Sequence, residues 1–317
     1  MGPGKAPGSR RDEASKPRST RLITIPCALA ILSVMVILIA SSFTSEVTIG
    51  TDGMGHVHGG GYYRDGETVT VTADADDGSI FEGWYDDGVL VSTDESYTFK
   101  VTKNSHLEAR FSPGSEDLTL SWDTEASSGS IHVVIPGSSY HEYSEADIAR
   151  DYRTLGGDCV SFVTPDDATI GEIAAGVMEA TAGLTDLERV ECVLDMVRGI
   201  PTSTDEESTG QSDYFRYPVE TLWELTGDCE DHAILLSSIL EAMGYDTVLH
   251  YVNIFDGDRL IGSHMAVGVN VEHATGSYVL VHELRFWYCE SSPESGADLH
   301  VGEVPEGYVV WRTYEVI

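Results

Sequence analysis

Gly227-Asp228-Cys229-Glu230-Asp231, followed by His232-Ala233-Ile234-Leu235-Leu236-Ser237-Ser238-Ile239-Leu240, decides how the chain is read. It starts a helix on a cysteine. Asp228 is a good N-cap, and Asp231, three residues on, completes a capping pair. Ala233, Leu236, Ile239, Leu240 and Met243 recur at helical spacing, and Gly244 supplies a C-terminal stop. A thiol in a first helical turn faces open backbone N–H groups and the positive end of the helix dipole, and both favour thiolate. The two acidic neighbours oppose that effect, so reactivity requires an imidazolium close by. The competing reading is a small buried hydrophobe capping a core helix. The rest of the chain decides between them.

After this helix the period changes from helical to alternating. Residues 247–252 and 264–271 are predicted strands, the second headed by His264, and 278–281 and 286–290 follow as two more. Upstream, 118–122 and 130–136 read as strands, and helices are predicted near 168–181 and 185–198. A helical lobe whose cysteine helix packs on antiparallel strands is an α+β arrangement.

Four blocks then stand in order: Tyr217-Pro218-Val219-Glu220-Thr221-Leu222, Gly227-Asp228-Cys229-Glu230-Asp231, His264-Met265-Ala266-Val267-Gly268-Val269 and Tyr288-Cys289-Glu290-Ser291-Ser292. Together they resemble the transglutaminase-like (papain-like) cysteine-enzyme superfamily, closest to its prokaryotic branch, over about residues 117–317. The resemblance implies Cys229 as nucleophile, His264 as its base and Glu290 as the carboxylate that orients the histidine. The chemistry agrees, because a thiol needs a base within hydrogen-bond reach and the base needs a positioning partner. Imidazole takes the thiol proton, thiolate attacks an amide carbonyl, and imidazolium protonates the departing amine. The acyl-enzyme then passes to water or to an amine, and the prokaryotic resemblance favours water.

Each residue has a plainer reading. His264 could be a satisfied histidine at a strand end. Glu290 stands where the family more often has Asp, with Glu283 as a rival carboxylate. His282-Glu283 lacks the second histidine of a zinc-protease helix. Related papain-like enzymes often place a Gln at the oxyanion hole. The corresponding stretch here is Val197-Arg198-Gly199-Ile200, so Arg198 could donate there, or point to solvent and leave the role to backbone N–H groups at Cys229.

The N-terminal part has its own pattern. Residues 47–49, 67–73 and 96–101 alternate apolar and polar, with Gly59-Gly60-Gly61 and Asp87-Gly88 marking turns. The blocks 66–73, 81–85 and 107–111 resemble an InlB-type bacterial B-repeat, a β-grasp-like extracellular module, and that resemblance implies a spacer or adhesion role. Trp84 and Phe111 read as its core. His56-x-His58 shows no third ligand and reads as a solvated loop rather than a metal site. Residues 113–117 read as a hinge.

Residues 22–42 carry no charge and match the length of a membrane-spanning helix, with six basic residues in the 21 before them. The expected order is therefore a disordered basic cytoplasmic tail (1–21), a transmembrane helix (22–42), a β repeat (43–112) and a transglutaminase-like domain (113–317). A cleaved signal ending near Ala40 and Ser42 is the alternative. Beyond residue 21 the chain holds 12 basic and 51 acidic residues, a formal charge of −39. That charge argues against nucleic acid and anionic lipid head groups as partners. Four cysteines, Cys159, Cys192, Cys229 and Cys289, follow the span, and a Cys159–Cys192 disulfide or two buried thiols both fit. Gly59-Gly60-Gly61 lacks the context of a phosphate loop. No cofactor and no metal are expected.

The expected function is a membrane-anchored, extracytoplasmic cysteine protease or amidase, or an acyl transferase, acting on protein or peptide substrates. The alternatives are a catalytically inactive surface-binding module and an acidic adhesion protein.

Overall fold

The structure, a computed structural model, describes residues 44–296 and 298–316. The expected tail and span, 1–42, lie outside the described residues; among those described no helix is long and apolar enough to cross a membrane. The described chain divides into two compact units. One comprises 44–50, 57–73 and 84–109, and the other 51–56, 74–83 and 110–316 without residue 297.

The first eight strands are β1 (Thr44–Asp52), β2 (Gly55–His58), β3 (Gly61–Arg64), β4 (Thr68–Ala75), β5 (Ser79–Asp86), β6 (Val89–Ser92), β7 (Ser96–Lys100) and β8 (Ser105–Pro113). One sheet is ordered β3-β1-β8-β5-β6 and another β2-β4-β7. The alternation seen in sequence works as expected in β4, which buries Val69, Val71 and Ala73 and turns its threonines outward. Val69 pairs with Phe99 and Val71 with Tyr97. Trp84 and Phe111 are both buried, as core residues should be.

The second unit continues with a hairpin of β9 (Ser115–Asp123) and β10 (Ser128–Pro136), in register from Ser115↔Pro136 to Asp123↔Ser128. The expected hinge is thus strand apart from Gly114. Gly114 donates to the Gly78 carbonyl and accepts from the Gly137 N–H, both at 2.7 Å. A Cβ on Gly137 would sit 2.2 Å from the Gly78 oxygen, so only glycine fits there.

Helices follow: α1 (Gly137–Ser144), α2 (Tyr152–Leu155), α3 (Ala168–Ala180), α4 (Asp186–Arg198), α5 (Asp205–Ser208), α6 (Pro218–Glu224) and α7 (Cys229–Ala242). The two helices expected near 168–181 and 185–198 are α3 and α4. Asp167 caps α3 by accepting from the Thr169 and Ile170 N–H groups, and Thr185 with Glu188 forms the capping box of α4. The chain ends in β11 (Thr247–Asp256), β12 (Arg259–Val269), β13 (Tyr278–Val281), β14 (Leu284–Cys289), α8 (Pro293–Gly296) and β15 (Tyr308–Glu315). These five strands form an antiparallel sheet ordered β13-β14-β12-β11-β15.

The layers are simple. α3 packs on β10 and α4 on β9, and both touch α7, which lies across β11 and β12. Sequence showed one apolar stripe on α7, but all of residues 231–240 are buried, as befits a helix enclosed on every side. Its two serines are satisfied: Ser237 bonds Thr247, and Ser238 donates to Ile234 O. Gly244 ends the helix at φ +91°, in the left-handed region that glycine enters without strain.

Candidate active site

α7 delivers Cys229 to a cleft beside the inner strands β11 and β12. Asp231 accepts from the Asp228 N–H at 3.3 Å, which closes the first turn as its sequence promised. A cleft of about 430 Å³ opens here, lined among others by Cys229, Glu230, Asp213, Tyr251, His264 and Met265. The thiol is half-buried and donates to Glu230 Oε2 at 3.1 Å. Burial and the carboxylates of Glu230 and Asp228 push it well above its ordinary value, against a smaller opposite pull from the Met265 backbone. The helix end alone therefore does not produce a thiolate: burial first, and the acidic neighbours after it, keep the thiol protonated.

β12 places His264 at the same cleft. Antiparallel pairing sets His264 opposite Val252, one step from Tyr251↔Met265. β14 ends at Cys289, and the next residue, Glu290, turns its side chain toward β12. Glu290 Oε1 lies 2.7 Å from His264 Nε2, with both residues buried. The carboxylate is held on every side. Tyr288 Oη donates to Oε2 at 2.8 Å, and the Ser292 N–H donates to Oε1 at 3.1 Å. Tyr308 from β15 meets the imidazole edge-on, centroids 5.3 Å apart. A second histidine beside the cysteine, His232, is fully buried, and its ring nitrogens lie 2.6 and 3.0 Å from the Asp228 and Ile200 carbonyls. Both nitrogens are engaged, so His232 is built into the fold.

Two sequence alternatives resolve against their rivals. Glu283 is exposed in the β13–β14 turn, where both His282 and Glu283 have positive φ, so it is no partner for His264. Arg198 is not a candidate oxyanion donor. Its Nε and Nη2 donate to the Glu290 backbone carbonyl at 2.9 and 2.7 Å, and Nη1 donates to Leu299 O at 2.8 Å. It pins the strand end that carries Glu290. Cys159 and Cys192 are separate buried thiols and form no disulfide. His56 is exposed beside Asp76 at 3.4 Å, and no group of three metal-ligating side chains among the described residues includes it.

Sequence reading weighed the acidic neighbours of the thiol but missed that Asp205 and Asp213 join them. Asp205, Asp213 and Glu230 bring one oxygen each within 4.8 Å of one another, as do Asp205, Asp228 and Asp231. Asp228 Oδ1 is buried without a hydrogen-bond partner. Burial pushes the Asp228, Glu230 and Asp231 carboxyls up, and the charges of neighbouring carboxylates add to it. Hard oxygen donors of this kind suit calcium or magnesium. These carboxylates come from three separate segments, so no linear loop announced the cluster.

One cation already serves the cluster. The fully buried Arg216 donates to Asp231 Oδ2 at 2.7 Å, to Glu224 Oε2 at 2.9 Å and to Asp205 Oδ1 at 3.2 Å. The signal for it was slight: a lone basic residue just before Tyr217-Pro218. A larger cavity of about 660 Å³, lined by residues such as Glu191, Arg198 and His300, contains none of Cys229, His264 and Glu290.

Residues 45–115 match the family model of the divergent InlB B-repeat domain. No curated protein matches the sequence. Among solved structures the chain is similar to EGTA-treated LapG of Legionella pneumophila, at 15% identity and TM-score 0.35, over 48% of this chain and 82% of that one. It is similar to a candidate cysteine protease of Cytophaga hutchinsonii, at 10% identity and TM-score 0.32, over 63% and 69% of the two chains. A third is a candidate protease of Parabacteroides distasonis ATCC 8503, at 12% identity and TM-score 0.30, over 80% and 67%.

Proposed function

We propose that the chain is a cysteine enzyme of transglutaminase-like type, in which Cys229 attacks protein amide or peptide bonds and water resolves the acyl-enzyme. The observation that carries this reading is the buried His264–Glu290 pair, 2.7 Å apart, opening onto the cleft that also holds Cys229. A carboxylate on Nε2 fixes the tautomer and leaves Nδ1 as the basic nitrogen. The thiol turns from Glu230 toward that nitrogen and gives up its proton. The thiolate adds to the amide carbonyl, and the backbone N–H groups at the start of α7 face the developing oxyanion. The imidazolium protonates the departing amine, and a water then releases the acid. A cation held by Asp228 and Glu230 would neutralise the charge that opposes the thiolate.

The uncharged stretch 22–42 and its basic flank support a membrane-anchored enzyme with residues 43–317 outside the cytoplasm. The B-repeat is its spacer.

The test is the pH dependence of Cys229 alkylation in the purified full chain, located by mass spectrometry, with His264→Ala as control. Reaction well below the ordinary thiol range that disappears in the variant supports the pair. A Cys229 that is inert, or that titrates near 8.5 like a model thiol, sinks it. In that case the second reading holds, a surface-binding module. It is favoured by one observation: the resting thiol bonds to Glu230 and not to His264.

A further inference from the structure

The cleft has an aromatic wall that continues past its rim. Tyr251 lines the cleft, and its ring stacks on Tyr152 with centroids 4.8 Å apart. The same ring meets Trp311 edge to face at 5.9 Å. Trp311 is 63% exposed, an unusual place for the largest apolar side chain. Its strand explains how it is held there. β15 ends its sheet, so nothing among the described residues pairs with its outer edge. Tyr251 pairs with Arg312 and Val252 with Val310, which leaves Trp311 as the extra residue of a bulge. Bulges of this kind re-aim one side chain beside a site. At the head of the same strand Tyr308 touches His264. Trp311 stands three residue steps beyond Tyr308, about 10 Å of extended chain.

We propose that Trp311 is a substrate subsite: it receives an apolar side chain of the polypeptide substrate, about three residues from the amide presented to Cys229, while the substrate lies along the open edge of β15. This rests on the reading of Cys229 as a nucleophile. Two features select the occupant. The indole is continuous with the cleft through Tyr251, so the chain that reaches the thiol also passes the indole. The oxygens of Asp213, Asp228 and Glu230 make the thiol end polar, so selectivity for an apolar group falls to the far end. An open strand edge supplies main-chain hydrogen bonds, and a pocket or platform beside it supplies sequence preference.

The experiment compares inactivation of the full chain by three thiol reagents: iodoacetamide, a peptidyl acyloxymethyl ketone with Phe three residues from the warhead, and the same peptide with Ser there. Trp311→Ser is expected to slow the Phe reagent about tenfold or more, from the lost apolar contact. It leaves the iodoacetamide and Ser-peptide rates unchanged, and Trp311→Phe restores most of the loss. Equal rates for both peptides in the native protein, or no change in the variant while iodoacetamide still labels Cys229, overturns the subsite alone. Failure of iodoacetamide to label native Cys229 overturns the enzyme reading, and the subsite with it.

Discussion

Glu290 holds the imidazole of His264 through Nε2 at 2.7 Å, and the same carboxylate is itself gripped by Tyr288 and by the Ser292 backbone. The pair is therefore fixed before any substrate arrives. Glu290→Gln keeps the shape but loses the charge and lets the ring choose the other tautomer. It should lower turnover by a factor on the order of 10² to 10⁴, with little change in KM. Glu290→Ala leaves three buried donors without an acceptor and should also cost about 1–3 kcal/mol of stability. Steady-state kinetics and urea unfolding separate the two. A Gln variant with native turnover would show that Glu290 has no part in the chemistry.

Arg216 answers a different question, since it touches no cleft atom that reacts. It is the buried counter-charge of Asp231, Asp205 and Glu224. Removing one partner of a buried ion pair typically costs about 3–5 kcal/mol, because the remaining charges stay buried. Arg216→Met should therefore unfold at markedly lower denaturant. Arg216→Met combined with Asp231→Asn should recover part of the loss, which a double-mutant cycle by chemical denaturation would read. Additive losses would mean that the two side chains are not energetically coupled.

His250 predicts a pH dependence. It is fully buried, with Nδ1 against Thr313 Oγ1 at 3.0 Å, and burial pushes it down to about 4. Above the ordinary histidine value of about 6.5 both folded and unfolded states are neutral, and His250 contributes nothing to the slope. As pH falls from there to about 4, the unfolded chain takes a proton that the folded chain refuses. Stability therefore declines across that window, by up to about 3 kcal/mol, and levels off below it. The measurement is unfolding free energy against pH for the native protein and His250→Leu. The two curves should diverge between those limits, and parallel curves would refute the assignment.

The carboxylates around Cys229 predict a response to divalent cations. Calcium added to chelator-treated protein should raise the melting temperature and shift Cys229 alkylation to lower pH, because a bound cation offsets the charges of Asp228 and Glu230. Asp213→Asn and Glu230→Gln should each weaken both effects. Calorimetric titration gives an independent measure of binding. Absence of heat, melting shift and alkylation shift together would mean that the cluster holds no cation.

Much of this was legible in the sequence, and the failures have physical causes. The α3 and α4 boundaries were readable because Asp167 and Thr185 cap them with local hydrogen bonds. Short sequence blocks single out Cys229, His264 and Glu290, and the structure sets Cys229 and His264 on one cleft with Glu290 against the imidazole. β15 was missed. Its bulge at Trp311 breaks the alternation on which strand recognition depends. Arg198 stood in the right segment for an oxyanion donor, yet its long side chain reaches backbone carbonyls that only tertiary packing brings near. The acidic cluster was invisible for the same reason: Asp205, Asp213 and Glu230 are neighbours only after folding.

The burial of three of the four described cysteines has a consequence for how the protein meets oxidants. Cys159, Cys192 and Cys289 have no solvent exposure, and Cys229 is the one partly open thiol among them. Among the four described cysteines, an oxidant from solution thus finds one open thiol. A sulfenic acid formed at Cys229 has no accessible resolving thiol among the described residues, so it would await a small external thiol or advance to the irreversible sulfinic acid. Exposure to dilute peroxide, followed by treatment with a low-molecular-weight thiol and quantification of Cys229 by mass spectrometry, would show how much of the reactive side chain is recoverable at each dose.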